Sequence, residues 1–128
     1  MNSTERRIKN ENTFFTKDIY ESRIDLETNE DVLERIYKCN VSADVSLPIE
    51  FFFVSDDEEK LKALGLYMIE RFPAYSHFKL GPYEDVFELA GETAPIRMEL
   101  ASINEWNRIM WDLGYAYDCK LDGWQVGT

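Results

Sequence analysis

The 128-residue sequence predicts an α+β fold, one antiparallel four-stranded sheet with two helices on one face. Three observations carry that prediction. Ser55-Asp56-Asp57-Glu58 and Ser102-Ile103-Asn104-Glu105 both match the capping box, in which a Ser side chain and a Glu three residues later satisfy free N–H groups at a helix start. Apolar residues at steps of three and four follow each box. Strand-like runs surround the two helices, so the chain reads β-α-β-β-α-β.

Taken in order, Met1 to Asn12 are polar, show no apolar period, and are expected to fray. A helix is predicted from about Asn29 to Cys39, with Val32, Leu33, Ile36 and Tyr37 apolar, but the pattern does not place it against the rest. Residues 1–46 are thus read as a tail and N-terminal helical extension, and 47–128 as the domain. Alternation in the first strand, Pro48 to Val54, sends Ile49, Phe51 and Phe53 to one face and Glu50, Phe52 and Val54 to the other. The face away from the helices therefore also carries apolar groups, which the N-terminal segment, a partner or a second copy of the chain is expected to cover.

Leu61, Leu64, Met68 and Phe72, beside Gly65 and Ile69, give the first helix one apolar face, and Pro73 stops it. The middle strands are expected at Tyr75–Leu80, running on through Val86–Ala90 past a kink at Gly81-Pro82, and at Ile96–Leu100, with the turn at Gly91–Pro95. Ile103, Trp106, Met110 and Leu113 form the apolar face of the second helix, Gly114 lies near its end, and Tyr117 to Leu121 make the last strand. Two helices on one face of such a sheet are the ferredoxin-like arrangement.

Composition narrows the function. Asp and Glu number 25 against 14 Lys and Arg, a net charge of −11 that repels a phosphate backbone, and the adjacent pair Arg6-Arg7 lies in the expected tail. No direct nucleic-acid binding is expected, and a basic protein partner fits better. Two cysteines, Cys39 and Cys119, are too few for a disulfide framework, and no apolar run is longer than the four residues of Phe51 to Val54, far short of a membrane span. A cytoplasmic protein with reduced thiols and no membrane contact is the expectation. With His77 as the one histidine, and glycines that form neither a phosphate loop nor a dinucleotide fingerprint, no catalytic site, metal or cofactor is predicted.

Three groups of residues stand out as candidates. Trp111 projects about 120° from the centre of the second helix's apolar face, with Arg108 and Tyr115 on the same flank, the residue types that dominate binding hot spots. Either a partner or the N-terminal segment packs there. Asp56, Asp57, Glu58 and Glu59 suit both a basic partner and the positive end of their own helix. In Asp122-Gly123-Trp124, Gly123 permits a positive-φ turn, Asp122 bonds the turn backbone, and Trp124 folds back as an apolar plug that closes the fold or also touches a partner.

The run Pro48 to Phe72, a strand ending in a Ser-capped acidic helix start, followed by Tyr117 to Trp124 with its closing Asp-Gly-Trp, resembles the ribonuclease E inhibitor RraB family. The resemblance covers about 47–124, while 1–46 match poorly. It implies a ferredoxin-like core that binds ribonuclease E and restrains RNA turnover, without catalysis or cofactor; a monomer or homodimer is expected. Two alternatives stand beside it. One is an immunity-type protein neutralising a basic toxin; the other is a small-molecule-binding ferredoxin-like dimer with Glu50, Phe52 and Val54 lining its cleft. An exposed Trp111 on a convex surface would favour a protein partner, and a deep pocket beside the sheet a small molecule.

Overall fold

The computed structural model describes residues 12–127 apart from Arg23. Its centre is strand β2 (Glu50–Ser55), whose alternation buries Phe51 and Phe53 completely. β3 (Ser76–Tyr83), β4 (Val86–Glu92) and β6 (Lys120–Gln125) complete one sheet in the order β3-β4-β2-β6, antiparallel at every pair. Helix α3 (Glu58–Arg71) buries Leu61, Leu64, Gly65 and Met68, and α4 (Leu100–Ala116) buries Ile103, Trp106 and Met110. Both lie on the face that carries Phe51, Phe53 and Leu89: Gly65 sits against Leu89, Trp106 against Phe51, and Gly114 against Phe53. Before the sheet come α1 (Lys17–Ser22), which the sequence pattern did not mark, and α2 (Glu27–Tyr37), two residues ahead of its expected start. Phe15, Leu33 and Ile36 from this region belong to the same apolar core as the sheet and helices.

The third sheet strand differs from expectation. Val86–Glu92 supplies it, paired with β2 from Glu50↔Glu92 to Ser55↔Phe87, and the hairpin turns at Glu84-Asp85, with Glu84 at φ 53°. Gly91 is not a turn residue: it lies in β4 because the Phe51 ring crosses it, and a Cβ there would stand 2.5 Å from that ring. Ile96–Arg97 (β5) instead pairs with Ser46–Leu47 (β1) in a separate two-stranded ribbon. Gly81-Pro82 stays within β3, on the edge strand where a missing N–H costs no ladder bond.

Both expected caps are displaced. Ser55 ends β2, wholly buried, and its hydroxyl donates to the Asp118 carbonyl at 2.7 Å. Asp57 caps α3 instead, accepting from the Glu59 N–H at 2.9 Å. Ser102 lies inside α4, whose N-cap is Glu99, and its hydroxyl donates to the Glu99 carboxylate at 3.1 Å. In each case the box is present in sequence but the chain enters the helix elsewhere, two residues later at Asp57 and three earlier at Glu99. The Asp-Gly-Trp tripeptide is also not a turn. It lies in β6, where the register shifts between Phe52 and Phe53; Gly123 has no positive φ, and the near contact of Asp122 is the Lys120 ammonium at 4.0 Å.

Candidate functional site

On the α4 flank bearing Arg108, Trp111 and Tyr115, the latter two are roofed by α1 and the chain just ahead of it. Phe15, wholly buried, meets Trp111 edge-on at 4.6 Å and Tyr115 at 5.5 Å between ring centroids, and Tyr20 stacks on Tyr115 at 4.1 Å. The Trp111 Nε1–H donates to the Tyr20 carbonyl at 3.1 Å. Trp111 is 5% exposed and part of the core, so it is no surface anchor. Helical periodicity set Trp111 off the main core, but Phe15 and Tyr20 cover that side and bring it into the core. Tyr115 is half-buried, and Arg108 remains exposed.

Asp118 pins this roof, and the sequence reading passed it over. α4 ends with the Cys119 N–H bonded to the Gly114 carbonyl and the Asp118 N–H to that of Tyr115, the Schellman pattern, with Asp118 at φ 59° in the left-handed position. Gly114 is required there, since a Cβ would collide with the Cys119 carbonyl. This turn aims the Asp118 carboxylate at three successive backbone donors, Thr13 N–H at 2.9 Å, Phe14 N–H at 3.0 Å and Phe15 N–H at 2.6 Å. Lys60 of α3 closes the cluster, 2.6 Å from Asp118 and 2.9 Å from Asp56. Burial pushes the Asp118 carboxyl up, but Lys60 and the three N–H groups outweigh it and hold the group below its ordinary value. An acidic residue just past the end of a helical period is the one sequence signal that marks it.

The acidic run divides by role. Asp56 is tied to Lys60 and accepts from the Thr13 hydroxyl at 2.6 Å; Asp57 caps α3; Glu58 and Glu59 are exposed in its first turn. Trp124 faces inward beside Phe51 and packs on the core, half-buried, from within the strand and not by folding back from a turn. Its Nε1–H donates to the Asn29 Oδ1 at 2.9 Å, while the Asn29 amide donates to Asn104 at 2.9 Å and Asn107 at 3.1 Å. A buried polar network thus joins α2, α4 and β6. Beside it opens a cleft of about 340 Å³ lined by Thr28, Asn29, Asn107, Trp111, Lys120 and Trp124. Among the described residues no group of three or more His, Cys, Asp and Glu is placed to hold a metal ion, and no helix is long and apolar enough to cross a membrane.

Residues 26–126 match the family model RraB, regulator of ribonuclease activity B. The chain belongs to the RraB family. Family membership makes it a regulator of ribonuclease activity. The RraB match begins upstream of the resemblance seen at 47–124 and takes in α2, the helix whose Asn29 receives the Trp124 bond. The RraB segment therefore contains both ends of the buried polar network. No curated protein matches this RraB-family chain in sequence.

Proposed function

We propose that this protein binds a ribonuclease of the ribonuclease E type and lowers its activity, restraining RNA turnover in the bacterial cytoplasm without itself catalysing a reaction. The RraB match over 26–126 carries this reading. The ferredoxin-like assignment is supported by the strand order β3-β4-β2-β6 with α3 and α4 as crossovers on one face. The carboxylate excess favours a basic protein surface over nucleic acid as the contacted partner. Of the residues read as partner-binding, Arg108, Asp56, Asp57, Glu58 and Glu59 are exposed, whereas Trp111 is buried and Tyr115 and Trp124 are half-buried.

The test is a cleavage assay with purified ribonuclease E and a fluorescent RNA substrate. Added protein is expected to slow cleavage to a plateau, with the effect weakening as salt rises. Undiminished cleavage at saturating protein, together with no co-elution on size exclusion, would refute the proposal.

A further inference from the structure

The sheet face turned away from α3 and α4 carries no described helix. At its centre Phe52 is half-exposed, paired with Ala90 on one side and Gly123 on the other. A Cβ added to Gly81 or Gly123 would meet nothing within 4 Å, and neither glycine has a positive φ. Neither backbone conformation nor internal packing requires a glycine at these strand positions, where glycine weakens the strand. Their effect is to keep the surface low on both sides of Phe52. A trough of about 320 Å³ results, floored by Phe52, Gly81 and Ala90 and rimmed by Glu50 and Glu88, with Lys79 as its one cation.

Burial, then Asp122 and Glu50, push the Glu88 carboxyl above its ordinary value, so three carboxylates crowd one another across β2, β4 and β6. Lys79 in the trough and Lys120, 4.0 Å from Asp122, are the cations set against these carboxylates. A second copy of the chain laid on this face would set like charges against like, which disfavours self-association there.

We propose that this open sheet face is the partner-docking surface, and that it takes an extended Arg- and Lys-rich segment of a protein. The aliphatic stems of the segment lie along Phe52 in the trough, and its cationic heads pair with Glu50, Glu88 and Asp122. The proposal rests on the regulator reading for the identity of the protein that carries the segment; the shape and charge of the surface stand apart from it.

The experiment titrates the full chain with a labelled oligoarginine peptide at low salt and follows backbone amide shifts. Shifts are expected to centre on Phe52, Gly81 and Ala90. Glu88→Lys, which replaces a rim carboxylate by a cation, and Gly81→Val, which fills the trough from a strand position with free space, are each expected to weaken binding about tenfold or more. Their thermal midpoints should match wild type, and if one variant loses its fold the other decides. Shifts centred on Asp57 to Glu59, or wild-type affinity in a folded variant, would overturn the proposal. Capture of purified ribonuclease E separates the two readings. If the variants capture it as well as wild type, the surface is wrong and the regulator reading stands. If wild type binds the peptide at this face but captures no ribonuclease, the regulator reading fails and the surface stands.

Discussion

Asp118→Asn isolates the charge that holds the N-terminal roof in place, because Asn keeps the side-chain shape and tolerates the left-handed backbone at φ 59°. The carboxylate accepts from three backbone N–H groups and an ammonium. The amide has one acceptor oxygen, so at least one buried N–H loses its partner, at about 1–3 kcal/mol. Lys60 keeps Asp56 and is part-exposed, so the lost ion pair adds less than a fully buried one would. The expected loss is about 2–3 kcal/mol, a drop of roughly 10 °C in the thermal midpoint of a domain this size. Hydrogen exchange reads the cause directly: the Thr13, Phe14 and Phe15 amides should lose local protection and exchange much faster in the variant, while those of β2 speed up only as far as the lower global stability requires.

Acid adds a second reading of the same group. The folded carboxyl lies below its ordinary value and the unfolded one titrates near pH ~3.9, so the unfolded chain binds more protons between the two. Stability from Asp118 is therefore fully present above that unfolded value and is lost as pH falls through the lower folded one. Asp118→Asn should flatten this part of the acid limb. A variant with wild-type midpoint and unchanged exchange at residues 13–15 would refute the account of the roof.

Other outcomes follow from single contacts. Gly91→Ala drives a methyl into the Phe51 ring and should cost about 2–3 kcal/mol in urea denaturation, whereas Gly123→Ala, facing open space, should be neutral or slightly stabilising. Trp124→Phe leaves the Asn29 Oδ1 without its donor inside the α2–α4–β6 network, and about 1–2 kcal/mol of stability should go with it by the same measurement. Burial pushes the Cys119 thiol up to about 12, so a thiol reagent at pH 8 should label exposed Cys39 alone in the native protein and Cys119 only after unfolding.

Residue type and spacing along the chain determined the two sheet-packing helices, the inward set of the first strand, the acidic character and the RraB resemblance. Each of these is a local property: Leu61, Leu64 and Met68 mark a helix face whatever packs on it, and Phe51 and Phe53 alternate before any sheet forms. Where local signals compete, tertiary contacts chose. Ser55 and Ser102 have the chemistry of caps, but Ser55 is claimed by the Asp118 carbonyl and Ser102 falls inside a helix that begins at Leu100. Gly91 looks like a turn residue and is a strand residue because an aromatic ring needs the space above it. Trp111 looks like an exposed anchor and is core because Phe15, nearly a hundred residues earlier, lies on it. The clamp of Asp118 on residues 13–15 and the bond from Trp124 to Asn29 join segments that no spacing rule connects. Periodicity reports which side of an element is apolar; only the folded chain decides what meets that side, since the free energy of burial depends on the partner brought there and not on the order in which the residues are written.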